Sequence, residues 1–255
     1  MKIYQEPKVY LLARPQLNHD GIADFFRDMN ARGEQYFLDQ EDDRKPSDGE
    51  TLAEVAGRIC YCSFGASQGR KTNKEYLGNI LDQGHGSVLE HANYTFLISQ
   101  CSRGFTHEMV RHRAGFAYSQ ESTHFRAYTL ENACFVVPNE GQLREEQNAL
   151  ESSARESLKA YEYIYERLKK QGTSKKIACA TARQVLPTGL ESKLVITGNM
   201  RAWRHFIEAR GNRYNVKEIR LIAVKVAEIL WQECPNMISG INICDQEIVS
   251  TNRKV

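Results

Sequence analysis

The chain has 255 residues, of which 41% are apolar and 26% charged, and its formal net charge is +2. That length buries a sizeable core and fits one domain spanning residues 1–255. The near-neutral balance excludes the broad basic field of a nucleic-acid-binding surface, and no apolar run approaches the ~18 residues needed to span a bilayer.

The N-terminus, MKIYQEPKVYLLARP, lacks an apolar h-region followed by a small-residue cleavage site, so a cytoplasmic protein is expected. From Asp39 to Gly49 a charged surface loop is expected. Thr51 and Glu54 then form a capping-box pattern ahead of Leu52, Val55, Ala56 and Ile59 at helical spacing. Thr72 and Glu75 repeat the device before Tyr76, Ile80 and Leu81, with Gly84 as the stop. Tyr94 to Ser99 reads as a strand, Phe105 to Arg113 as a helix or helical turn, and Cys134 to Val137 as a short strand ended by Pro138. The clearest helix runs from Leu143 to Lys170, with Leu143, Leu150, Ala154, Leu158, Tyr161, Ile164 and Leu168 along one stripe and Gly172 past its end. Ile177 to Val185 reads as helix, Ser192 to Thr197 as strand, and Met200 to Ala209 as a short helix. Val216 to Glu233 is a further helix, with Ile219, Ile222, Val226 and Ile229 on one face. This mixture predicts an α/β or α+β fold.

The seven cysteines, Cys60, Cys62, Cys101, Cys134, Cys179, Cys234 and Cys244, are scattered without a C-x-x-C pair. They are expected to be reduced and mostly buried thiols, and no metal site is expected.

Three polar clusters carry candidate chemistry. In Gly84 to His91 (GHGSVLEH) two histidines, a serine and a glutamate lie between a helix and an apolar strand, although Ser87 with Glu90 also fits an ordinary helix cap. His107 to Arg113 (HEMVRHR) nearly spells H-E-x-x-H, but its second histidine comes one residue late. On a helix, residues five apart diverge by ~140° rather than the ~40° of residues four apart, which rejects a shared zinc. Arg111, His112 and Arg113 point three ways on such a helix and suit an anionic ligand, since the guanidinium fork bonds two phosphate oxygens at once; a solvated basic face fits them equally. In Thr197 to Arg210, Asn199, Arg201, His205 and Arg210 interleave with Trp203, Phe206 and Ala209.

The segment RHRAGFAYSQESTHFRAY, from Arg111, resembles the motif R-H-R-x-x-S-x-[NS]-[EQ]-x-S-x-R-Y of the flavin-dependent thymidylate synthases. GHGSVLEH with the strand YTFLIS, ARQVLPTGLESKLVITGNMRAWRHFIEAR, and EIRLIAVKVAEIL with CPN resemble three further blocks of that family, in the family order and over roughly residues 80 to 236. The resemblance implies a homotetramer with a mixed central sheet flanked by helices and with FAD at subunit interfaces. It implies transfer of a methylene from methylenetetrahydrofolate to C5 of dUMP, reduced by NADPH through the flavin. By position, Ser87, Arg111, His112, Arg113, Asn199, Arg201 and His205 contact FAD, and His85 and Glu90 shape that pocket. Arg111, Ser122 and Arg183 hold the nucleotide, with Glu108, Gln120, Glu121, His124 and Arg126 as further substrate-binding positions. Arg210 lies at the pyrimidine edge and, with Ser122, is the catalytic candidate. The scattered cysteines agree with a reaction that needs no cysteine nucleophile.

The chain departs from the motif. One residue is inserted between Arg113 and Ser119, His124 takes the place of the second-last arginine, and Arg126 follows two residues later, on the same side if the segment is extended. Glu108 stands where many members have a glutamine, and a carboxylate accepts hydrogen bonds from a ribose. A uridine nucleotide other than dUMP, such as UMP or a modified uridine, is therefore the alternative substrate. A nucleotide- or RNA-binding module without catalysis is the rival from another class; it would bind nucleotide without oxidising NADPH, and its RNA affinity would fall steeply with salt.

Overall fold

A computed structural model describes residues 1–28, 44–64, 69–137, 140 and 143–251. Its centre is a four-stranded sheet built from β2 (Lys8–Ala13), β3 (Asn93–Ser102), β4 (Phe116–Gln120) and β6 (Glu191–Asn199), in the order β2-β3-β6-β4. Every pairing in it is antiparallel. The expectation of helices and sheet together holds, but the central sheet is not mixed: the parallel pairing joins β1 (Lys2–Tyr4) to β5 (Cys134–Val136), apart from it.

Strand periodicity decides what the sheet covers. Tyr94, Phe96 and Ile98 of β3 and Leu194 and Ile196 of β6 are buried. They pack with α3 (Asn73–Gln83), α7 (Met200–Arg210) and α8 (Lys217–Glu233) in one core that includes Leu77, Ile80, Trp203, Phe206, Ile222, Val226 and Leu230. The alternate residues point the other way. Tyr10, Leu97, Val195 and Ser119 form one row across all four strands, and Tyr10 stays 44% exposed. Among the described residues the main helical layer therefore lies on one face rather than flanking both.

A second, smaller core joins β1, β5, α5 (Arg144–Lys170) and α6 (Lys175–Ala182) through Phe135, Leu158, Tyr161 and Ala182. The expected helix from Leu143 is thus present, with Leu143 as its cap residue. Its stripe is only partly used: Leu143 and Leu150 are 70% and 48% exposed, because the smaller core begins at Ala154.

The expected loop from Asp39 to Gly49 lies outside the described residues up to position 43, and at Asp48 it has become α2 (Asp48–Cys60), the next described helix after α1 (His19–Asp28). The capping box there is Ser47 with Glu50, not Thr51 with Glu54. Glu54 is buried instead, accepting from Arg58 at 2.7 Å and from Asn73 at 2.8 Å. Glu50, Glu54 and Arg58 turn inward at a spacing of four, so the expected apolar stripe marks the buried face of α2 only in part: Val55 is buried, while Ile59 ends 44% exposed. The Thr72–Glu75 box before α3 is present, and Gly84 closes α3 at φ 71°, a conformation that glycine adopts without strain. Three of the seven cysteines, Cys101, Cys179 and Cys234, are buried, fewer than expected; all seven are free, and Cys60, Cys62 and Cys244 are exposed. Among the described residues no helix is long and apolar enough to cross a membrane.

Candidate active site

The segment after β3 begins with a grip on the chain. Ser102 caps α4 (Arg103–Met109) by accepting from the Phe105 N–H at 3.0 Å. Glu218 of α8 accepts from the Ser102 N–H at 2.6 Å and from its hydroxyl at 2.7 Å. Helix α4 starts two residues before the expected Phe105 and ends at Met109. Arg111, His112 and Arg113 therefore lie in a turn and not on a helix. The helical geometry used to reject a shared zinc does not extend to His112, and the three side chains are separated by the turn instead. Tyr118 pins this turn by donating its hydroxyl to the carbonyls of Met109 and His112. Gly115 completes it at φ 74°, where a Cβ would meet Asn199 Nδ2 at 2.7 Å.

Within the turn, Arg111 and Arg113 are exposed while His112 is half-buried. The His112 ring stands edge-on to Phe206 at 5.4 Å and lies 5.9 Å from that of His205. Burial, then the nearby charges of Arg210 and His205, push its pKa from 6.5 down to about 4. Its Nε2 accepts from Arg210 Nε at 3.0 Å. Arg210 Nη1 also reaches Glu108 and Asn215, each at 3.4 Å. One distant segment, through Glu108 and His112, and the loop just after α7, through Asn215, thus converge on one guanidinium whose Nη2 makes no hydrogen bond among the described residues.

Beside it lies the turn Gly86–His91, which enters β3. The cap expected from Ser87 and Glu90 is not what holds it: the turn has no side-chain cap bond, and Glu90 pairs with Arg201 at 2.7 Å. Both partners are nearly half exposed, so the pair contributes about 0–1 kcal/mol and yields readily to a ligand. Gly86 packs so closely on Arg201 that a Cβ would meet its Nε at 2.9 Å. Asn199 caps α7 through the Ala202 N–H at 2.9 Å, which engages its side-chain oxygen. His85, Ser87, Glu90, Arg111, Arg113, Arg201 and His205 all remain exposed. Cationic, imidazole and hydroxyl groups on this surface suit a dinucleotide with a pyrophosphate and a carbonyl-bearing ring.

The other predicted residues divide. Arg183 donates to the buried Thr123 hydroxyl at 2.9 Å, in a cleft of about 360 Å³ lined also by Arg103, Gln184 and Thr188. Gln120 is tied inward, donating to the Thr106 and Ser192 hydroxyls at 2.8 and 3.2 Å. Glu121 is shared between Arg126 at 2.8 Å and Lys193 at 3.1 Å; burial alone would raise its pKa, but these two partners outweigh it and hold it below the usual value. Residues 123–125 form a turn, so His124 and Arg126 do not share one side of an extended strand. Arg126 is spent on Glu121 and on the Asn132 carbonyl at 2.6 Å, away from the cleft. Ser122 is exposed, its hydroxyl accepting from the His124 N–H at 3.3 Å. Arg103 and Asn215 were missed in the sequence. Arg103 is the first residue of α4, and the late helix start hid it. Asn215 stands in a polar loop that carries no local signal.

The sequence profile of the family described as thymidylate synthase complementing protein matches residues 44–236. A flavin-dependent thymidylate synthase of Mycolicibacterium gilvum is 41% identical over 205 residues, covering 76% of this chain and 80% of that one. That of Corynebacterium diphtheriae is 36% identical over 229 residues, covering 84% and 89%. Among solved structures, the UMP/dUMP methylase PolB from Streptomyces cacaoi, bound with 5-Br dUMP, shares the fold at a TM-score of 0.66 and 20% identity, over 93% of this chain and 95% of that one. The same protein bound with 5-Br UMP aligns at 0.65 and 18%. A profile match over most of the chain and relatives near 40% identity agree with the four sequence blocks and the clustered turn, loop and helix: the chain belongs to the flavin-dependent thymidylate synthase family.

Proposed function

We propose that this protein methylates C5 of the uracil ring of a uridine nucleotide, dUMP in the first place, with methylenetetrahydrofolate as the carbon donor and NADPH as the reductant. The observation that carries this reading is the convergence of His112, Glu108 and Asn215 on Arg210. Uracil C5 must gain electron density to attack an electrophilic methylene. A fixed positive charge at the pyrimidine edge stabilises that density, as an oxyanion hole does. His112, held neutral by its low pKa, accepts from Arg210 and orients the guanidinium without competing as a second cation. Bound FAD supplies the redox chemistry that completes the methyl group. His85, Ser87, Arg111, Arg113, Arg201 and His205 would hold it, with Glu90 setting Arg201.

Helix α4 serves as a ruler for the nucleotide. Arg103 at its start faces the cleft shared with Arg183, and Glu108 near its end meets Arg210. Five residues of helix rise about 7.5 Å, a span suited to a phosphate at one end and a base at the other. The phosphate then falls to Arg103 and Arg183, with the exposed Ser122 next to the lining residue Thr123, rather than to Arg126. The exposed cofactor groups, and the open sheet row through Leu97 and Val195, support a homotetramer that completes the site at subunit contacts.

The test is to purify the protein, read its flavin absorbance, and incubate it with NADPH, methylenetetrahydrofolate and dUMP, UMP or a modified uridine nucleotide. Methylated dUMP is the expected product; bound flavin without methylation of any nucleotide defeats the proposal. The alternative substrate, a ribonucleotide, is favoured by Glu108: one oxygen meets Arg210, and the other makes no bond among the described residues. Turnover of dUMP with none of any 2′-hydroxyl substrate counts against it.

A further inference from the structure

We propose that Tyr61 is a positioning residue for the flavin site, holding the His85 imidazole in one rotamer and one tautomer; this rests on reading the 84–91 turn as part of that site. Tyr61 is the cap residue just past α2, with its backbone N–H bonded to the Gly57 carbonyl at 3.1 Å. Its ring stacks on that of His85, centroids 5.7 Å apart and planes 24° apart. Its hydroxyl lies 3.2 Å from His85 Nδ1.

The backbone at His85 is held from both sides. The His85 N–H bonds the Ile80 carbonyl at 2.9 Å, Gly84 before it adopts φ 71°, and Gly86 after it lies against Arg201. The side chain has no such restraint from its own turn. It is exposed, and an exposed imidazole without a partner samples several rotamers. Among the described residues, Tyr61 supplies the one side-chain hydrogen bond that reaches it.

With the Tyr61 hydroxyl as the donor, the bond also selects a tautomer. A phenol is a good donor, and the nitrogen that receives it cannot carry the proton in a neutral imidazole. Donation to Nδ1 therefore leaves the proton on Nε2, the nitrogen away from Nδ1 on the ring. His85 then presents an N–H donor from the turn that also carries Ser87. A flavin ring offers carbonyl oxygens to such a donor. Tyr61 is itself 55% exposed, so this contact adds little to stability, and its consequence is the presentation of His85.

The test compares the unmutated protein with Tyr61→Phe, which keeps the stacked ring and removes the hydroxyl. Long-range ¹H–¹⁵N spectra of histidine-labelled, flavin-free protein at alkaline pH report the tautomer, with His85→Gln assigning the signal. The unmutated protein is expected to show the Nε2–H form, and Tyr61→Phe a mixture of both forms. Flavin affinity, read by fluorescence titration, is expected to weaken about three- to tenfold in Tyr61→Phe, with unchanged circular dichroism. An unchanged His85 tautomer, or an unchanged flavin affinity, in Tyr61→Phe overturns the assignment of Tyr61. Absence of flavin binding by the unmutated protein overturns instead the reading of the site on which it rests.

Discussion

At the scale of single residues, the proposed chemistry turns on Arg210 and on the neutral histidine that accepts from it. Replacing Arg210 with Ala is expected to lower methyl transfer by about 10²- to 10³-fold while flavin stays bound, since a fixed charge at the reacting ring is lost and the cofactor surface is not. Steady-state rates and flavin content measured on the same preparation check this, and retained methylation would refute the role given to Arg210. His112 carries a pH dependence of its own. Its folded pKa of about 4 lies below the ordinary 6.5. The unfolded chain therefore binds more protons between those values, and stability rises with pH across that window. The contribution is complete above the unfolded pKa and fades as pH falls towards the folded one. The ring is half-buried, so the full linkage energy must be discounted for solvent screening, which leaves about 1–2 kcal/mol. Urea unfolding at the two ends of the window is expected to show this loss, and His112→Gln is expected to flatten it. An equal slope in both proteins would remove His112 as the source.

At the scale of elements, the short helix α4 matters most, because it carries Arg103 and Glu108 and leads into the Arg111–Arg113 turn. Seven residues do not sustain a helix by themselves. Its register depends on Ser102, and Ser102 depends on Glu218. Glu218 lies in a buried setting that raises its pKa, and the two Ser102 bonds oppose that shift only in part. Glu218→Ala is expected to cost about 1–3 kcal/mol, the usual consequence of leaving a buried donor unsatisfied. It should also raise the KM for nucleotide more than it changes flavin affinity, because α4 loosens while the 84–91 turn does not. Denaturant midpoints and a comparison of both ligands check this, and a purely global loss with no such difference would count against α4 as the nucleotide ruler.

At the scale of the whole molecule, the exposure of the surface proposed to hold the cofactor leads to an assembly prediction. Sedimentation is expected to show four chains together, and dilution below the assembly range is expected to release flavin in step with dissociation. A flavin-loaded monomer would overturn the proposed subunit-interface site. Much of the fold was legible in the sequence, since capping residues, glycine stops and apolar periodicity act locally: the Thr72–Glu75 box, Gly84 and the helix to Lys170 stand as read, and the strand read from Tyr94 to Ser99 and the helix from Met200 are present but longer, over Asn93–Ser102 and Met200–Arg210. Family membership was legible as well, because the polar blocks at 84–91, 111–128 and 197–210 are ordered motifs that need no coordinates to be compared. What the sequence could not decide were outcomes of long-range pairing. Glu54 looks like a capping residue until Asn73 and Arg58 bond it inside, and Glu50 is held there by Asn73 and Asn236. Arg126 looks available for phosphate until Glu121 takes it, and Arg103 looks incidental until the fold sets it beside Arg183. Hydrogen-bond partners many residues apart are chosen by the packing of the sheet and its helices, so which polar groups are used up internally and which remain open to a ligand was settled only by the tertiary structure.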